Sequence, residues 1–283
     1  MSGRKFSKSA LFLLMIVFGI ISCQKDTNVN VNFQRGIESA QNYAFAQQMM
    51  TQVMATYFKA LTDSTLSADA FNYIDGAAVY YYPDQEPKRM IFDYPSYGVS
   101  DGYGHTRGGK FNASTTQDFT EDNAVISFSF DNFRYDSDSV EVDSMFLFNL
   151  GKKNGKDNHY RLTLSQLTYQ FKDSSGVFTF DLDQEFAVFK YNSSYYTHPR
   201  DSLGIYGTLH GNTVRNIKFT AQNTSDSSLL FSYDCRWLKT GITGIETEMF
   251  TYPVTAYFQE PDTCGNQFLV TIDSNPFPRW IEE

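Results

Sequence analysis

Apolar and polar positions alternate along this chain with two different periods. Between Ile37 and Leu61 the residues Tyr43, Met50, Met54, Tyr57 and Leu61 recur at helical spacing, and Ala40, Ala44, Val53 and Phe58 widen the stripe. This pattern predicts a helix with one broad apolar face, which must be covered, most simply by docking on a sheet. After Asp63-Ser64-Thr65 the period falls to two and stays there. Ile126, Phe128 and Phe130 alternate with Ser127 and Ser129; Val140, Val142, Phe146 and Phe148 alternate with Ser139, Glu141 and Asp143; Phe178, Phe180 and Leu182 alternate with Thr179, Asp181 and Asp183. Each run predicts a strand with one buried and one wet face. Turn signals at Asp101-Gly102, 151–158, 173–176, 198–201, Gly211-Asn212, 225–228 and Pro261-Asp262 separate the runs, giving roughly ten to thirteen strands. No Pro/Gly-rich linker divides them. The expected fold is mainly β: a large antiparallel meander sheet, curved or partly closed, with one N-terminal helix packed on it.

Composition strengthens the sheet and narrows the function. Aromatic residues make up 17%, with 26 Phe and 19 Tyr, and these favour strands. With 41% hydrophobic and 19% charged residues, wholesale disorder is excluded. Lysine and arginine number 23 against 32 acidic residues, a net charge of −9, which argues against nucleic acid as a partner.

The first residues read as an address. Arg4, Lys5 and Lys8 precede the apolar run Ala10 to Ile21, about the length of a signal-peptide core and too short to span a bilayer. The run ends at Ile20-Ile21-Ser22-Cys23, which resembles the bacterial lipoprotein box. The resemblance implies cleavage after Ser22 and acyl chains such as palmitate on Cys23; the plainer alternative is an ordinary cleaved signal with an incidental cysteine. The chain then divides into a signal peptide (1–22), a lipidated tether (23–36) and one β-rich domain with an N-terminal helix (37–283). Each buried methylene of an acyl chain contributes about 0.8 kcal/mol, so more than one chain makes a stable anchor. Removing 1–22 leaves 20 basic against 32 acidic side chains, a net charge of −12. Gln24-Lys25-Asp26 resembles the signal that sends Bacteroidota lipoproteins to the cell surface, the alternative being a merely polar spacer.

Four short stretches carry a wider resemblance: Asp101-Gly102 leading to Thr106-Arg107-Gly108-Gly109; Phe130-Asp131-Asn132-Phe133; Cys235-Arg236-Trp237 followed by Gly241; and Cys264-Gly265-Asn266. Together they resemble a family of uncharacterised Bacteroidota β-sheet lipoproteins of the outer membrane or cell surface, over most of the mature chain. Two extra residues precede Thr106, Glu260-Pro261-Asp262 replaces a glycine-rich turn, and Gly265 replaces an aspartate. The resemblance implies fold and location and lends no catalytic residues.

Candidate chemistry is sparse. With Cys23 assigned to lipid, Cys235 and Cys264 remain in an exported chain, and one disulfide between them is the economical reading, stabilising by roughly 3 to 4 kcal/mol. Two separate thiols are the alternative, and a metal pair is disfavoured because no histidine lies beside them. The string from Gly104 to Lys110 has phosphate-loop spacing, but Phe111 stands where a hydroxyl belongs and a strand follows. His105, His159, His198 and His210 are scattered, and Gly-x-Ser-x-Gly is absent, so neither metal, cofactor nor serine nucleophile is expected. Asp136 with Asp138, Glu141 with Asp143, and Asp181 with Asp183 share wet faces; solvation is their ordinary role, with calcium or glycosidase acid-base chemistry as alternatives. Asp-Ser/Thr-apolar stretches at Ser64, Ser139, Ser144 and Ser202 resemble the Bacteroidota O-glycosylation sequon, with Ser64 and Ser202 favoured as loop residues.

These readings lead to the expectation of a non-catalytic, lipid-anchored outer-membrane or surface protein, a structural, adhesive or binding module. Its partners would be the membrane, through Cys23, and a glycan or protein ligand, for instance at an aromatic patch of Tyr80, Tyr82, Tyr195 and Tyr196. The alternative is a carrier of a lipid or other hydrophobic ligand in an open β half-barrel around the helix.

Overall fold

The computed structural model describes residues 24–102, 104–153, 157–173, 175–190, 200–235, 237–248, 250–258 and 264–281, with side chains from Phe33 onward. Helix α1 (Gln24–Leu61) and the short α2 (Ser64–Asp69) precede fifteen strands: β1 (Phe71–Ile74), β2 (Ala77–Tyr82), β3 (Lys88–Ser100), β4 (Thr106–Thr115), β5 (Val125–Tyr135), β6 (Asp138–Lys153), β7 (Asp157–Gln170), β8 (Val177–Phe189), β9 (Ser202–Asn212), β10 (Lys218–Asn223), β11 (Leu229–Ser232), β12 (Leu238–Thr247), β13 (Val254–Phe258), β14 (Gln267–Ile272) and β15 (Asn275–Trp280). They form one antiparallel meander in sequence order, with a single local exception. β10 and β11 occupy the same slot between β9 and β12, one after the other, separated by a 3₁₀ turn at Ser225–Ser227. The expected mainly-β meander is therefore the fold. The strand count exceeds the expected range because β1 and β11 have four residues each, too few for alternation to register.

The helix does more than dock one face. Every residue from Ala46 to Phe58 is buried, and a helix buried on all sides must be surrounded. Phe45 packs on Tyr135 of β5, Tyr169 of β7 and Phe178 of β8. Tyr43 reaches Thr243 of β12 at 2.9 Å and the ring of Phe258 on β13. The sheet thus curls around α1 as a partly closed ring. On the helix's C-terminal half, His105 before β4 meets Trp237 before β12, ring centroids 5.7 Å apart, and this contact brings strands distant in the meander together.

The helix also begins earlier than its periodicity predicts. The segment expected to be a tether is helical from Gln24, and Phe33 packs edge-on against Phe250, Tyr252 and Phe277. A Cβ on Gly36 would lie 3.0 Å from Ile272 and Val254. The packed domain therefore reaches back at least to Phe33, where one aromatic residue and one close approach take over from the stripe.

A line of bulges bends the sheet. Pairing slips by one residue between Gly108 and Lys110 of β4, where Gly109 has φ +76° and faces Asn132 of β5 at φ +51°. It slips again between Leu164 and Leu167 of β7, where Gln166 has φ +48°. Each bulge increases local twist and reverses which residues face inward. Accordingly β5 buries Ile126 and Phe128 and then Phe133 and Tyr135, while β6 buries Val140 and then Met145 and Leu147. Phe146, expected inside, stands on the outer face at 39% exposure, and Phe148 shares that face. Phe178, Phe180 and Leu182 of β8 are buried as the alternation predicts.

Candidate ligand-binding surface

The polar residues of α1 build a network inside the ring. Arg107 is fully buried and its Nε donates to Asp101 Oδ2 at 2.9 Å; Nη2 lies 2.8 Å from the same oxygen. Its Nη1 donates to Thr56 Oγ1 at 3.0 Å and Tyr94 Oη at 3.1 Å. Thr56 is also 2.8 Å from Asp75, which pairs with Lys59 at 2.6 Å. Burial opposes the charge on Arg107, but the Tyr94 hydroxyl and Asp101 carboxylate outweigh it and hold the guanidinium protonated. Elsewhere Tyr135 donates to Gln52 at 2.7 Å, and the Leu238 amide donates to Gln48 at 3.1 Å.

The same network holds the motif residues. Asp101 also accepts from the His105 amide at 3.2 Å, and His105 Nδ1 sits 2.5 Å from Asp136 Oδ2. Gly109 meets the Asn132 carbonyl so closely that a Cβ would lie 2.0 Å from it, so the first two motifs are two sides of one bulge. Cys235 and Cys264 form a disulfide with Cα atoms 5.5 Å apart, at strand ends before β12 and β14, and Trp237 is only 5% exposed.

The remaining predicted residues disperse. Asp138 accepts from Tyr169 at 2.6 Å and from the Lys172 amide at 2.8 Å. Asp183 is forked by Arg161 at 2.7 and 2.5 Å, a hydrogen-bonded pairing that lowers its pKa. Glu141 and Asp143 are exposed. Among the described residues no three His, Cys, Asp or Glu side chains cluster as metal ligands. Ser64 is exposed on the first turn of α2, capped by Asp63. Ser202 is not loop-borne: it lies half-buried in β9, paired with Phe189 on one side and Ser232 on the other. Tyr80 and Tyr82 are exposed on β2, Tyr80 lying against Phe71 of β1. Cys23, His198, Tyr195 and Tyr196 lie outside the described residues.

The outer face holds a feature that sequence reasoning missed. A furrow of about 900 Å³ crosses β7, β8, β9, β10 and β12, lined by Gln166, Asp181, His210, Asn212, Thr220 and Glu246 among others. Asp181, His210, Thr220 and Glu246 are successive cross-strand partners on four strands, so they form one row. His210 Nδ1 is 2.9 Å from Thr220 Oγ1, and Asp181 accepts from the bulged Gln166 amide at 2.6 Å. A second hollow of about 370 Å³ meets the first at His210, with Arg161, Asp183, Glu185 and Tyr206 in its lining. Burial pushes the Glu185 carboxyl up, but hydrogen bonds from Lys153 and Tyr206, each 2.5 Å, outweigh it and lower its pKa. Alternation alone marks these side chains as outward; only the bulge and the cross-strand register gather them.

No family model, curated protein or solved structure matches the chain. Among the described residues no helix is long and apolar enough to cross a membrane.

Proposed function

We propose that this is a non-catalytic, lipid-anchored protein of the outer membrane or cell surface, held through Cys23, whose folded part is a binding module with its ligand surface outside the ring. One observation carries the choice of module over carrier. The space in which a half-barrel would hold hydrophobic cargo is occupied by α1, buried at every residue from Ala46 to Phe58. The lipoprotein box, the Gln24-Lys25-Asp26 stretch and the resemblance to Bacteroidota β-sheet lipoproteins support the address. The most enzyme-like groups, Arg107 with Asp101 and His105 with Asp136, are engaged with one another in the fold.

The test combines fractionation with protease shaving of intact cells. Wild-type protein partitions with the outer membrane and is degraded by external protease; Cys23→Ala is unprocessed or released as soluble protein. Retention of the mutant in washed membranes would count against the anchor, and protease resistance of intact cells would move the module to the inner leaflet. A carrier would instead co-purify with lipid detectable by native mass spectrometry.

A further inference from the structure

We infer that the outer furrow across β7, β8, β9, β10 and β12 is the binding site for a neutral oligosaccharide. The inference deepens the binding-module reading and rests on it. A ligand rich in hydroxyl groups needs donors and acceptors interspersed on one surface. Gln166, Asn212, His210 and Thr220 each supply both, while Asp181 and Glu246 supply acceptors. The row from Asp181 to Glu246 spans three strand gaps, about 14 Å, which suits a chain lying across the strands.

A buried oxygen points to the same place. Asn212 lies two residues from His210 on the same face of β9 and lines the furrow, and its Oδ1 is buried without a hydrogen-bond partner within the protein. Buried polar atoms are nearly always satisfied, so an orphan in this concavity marks where an outside group completes the bonding.

The surroundings select among ligand classes. Asp181, Glu246 and Glu248 against Lys218 give the furrow an acidic balance, which disfavours phosphorylated, sulfated or uronic ligands. Its polar row disfavours a lipid. Every furrow strand is paired on both sides, leaving no open edge on which a peptide could add as a strand. In the adjoining hollow, Tyr206 is fixed through its hydroxyl to Glu185, presenting a ring of set orientation beside the row.

The test uses the full-length lipoprotein in nanodiscs, screened on an array of neutral, anionic and peptide ligands, with titration calorimetry on the best neutral oligosaccharide. Binding of a neutral glycan is expected, weakened at least tenfold by His210→Ala and by Asp181→Asn, and unchanged by Tyr73→Ala or Tyr80→Ala in the exposed aromatic group of β1 and β2. Thermal unfolding of each variant confirms that the fold is kept, and Asp181→Asn retains the acceptor used by the Gln166 amide. No neutral glycan bound, or binding lost with Tyr80→Ala and kept with the furrow variants, overturns the inference. Protease shaving is read separately: surface display without glycan binding removes the furrow assignment alone, whereas lack of export and anchoring removes the module reading itself.

Discussion

The side-chain amides of Gln47 and Gln184, 137 residues apart in the chain, exchange two hydrogen bonds at 3.2 and 2.7 Å between the central helix and β8. In a dry interior such a pair is worth most when both members are present. Gln47→Leu should strand the Gln184 amide and destabilise by about 1 to 3 kcal/mol. The double change to leucine at both positions should recover much of that loss, as read by urea unfolding; an additive double mutant would show that the two amides act independently.

Arg107→Met should be among the most damaging single substitutions, about 3 to 5 kcal/mol, because it breaks a fully buried ion pair with Asp101 and removes the donors to Thr56 and Tyr94. Arg107→Lys should not restore stability, since one ammonium cannot reproduce bonds to Asp101, Thr56 and Tyr94 together. Denaturant midpoints of the two variants decide it.

Gly109→Ala should disrupt the bulge, placing a methyl 2.0 Å from the Asn132 carbonyl at a positive φ. Gly244→Ala, whose new Cβ would have its nearest neighbour at 3.8 Å, is the matched control on β12. A large fall in melting temperature for the first and little change for the second is expected; equal effects would remove the steric explanation.

Reduction, or Cys235→Ser with Cys264→Ser, opens a loop of 29 residues and should lower stability by about 3 to 4 kcal/mol on the chain-entropy account. Unfolding with and without reductant measures it. The same shift should be absent when reductant is added to the double serine variant.

His159 supplies a pH signature. Burial, reinforced by Lys153, lowers its pKa from the usual 6.5. The unfolded chain therefore takes up a proton at a higher pH than the folded one. The contribution of neutral His159 is intact above about pH 6.5 and declines as pH falls toward the folded pKa. In His159→Gln that part of the acid loss should vanish, which unfolding curves at stepped pH would reveal as a flatter profile between neutral and mildly acidic conditions.

Alternation was a faithful guide where the backbone stayed regular. Phe178, Phe180 and Leu182 of β8 are inward as their spacing implies. It misassigned Phe146 because the phase of β6 reverses partway, beside bulges created by positive φ at Asn132 and Gln166, residue types that equally occupy ordinary strand positions. The helix was legible as a helix, but its apolar stripe marked only one face for cover. Gln47, Gln48, Gln52 and Thr56 are buried because their partners come from strands and turns elsewhere in the chain, and nothing near them in sequence announces those partners. The cysteine pair was legible because the reading of an exported chain, with Cys23 set aside, left few choices. The furrow was not, since its row takes one residue from each of four strands and exists only once register is set.

The placement of α1 at the centre of the sheet has a consequence for how the protein is made. Tyr43 finds Thr243 across 200 residues and Gln48 finds Leu238 across 190, so the helix waits for strands synthesised long after it. Contacts this distant make folding slow, and a chain that leaves the ribosome or the export channel N-terminus first emerges with its central helix bare. A nascent chain stopped before β12 has no Thr243 or Leu238 to offer that helix. Assembly is therefore a late, concerted event, and its apolar helix needs shelter from aggregation for the whole interval between emergence and closure.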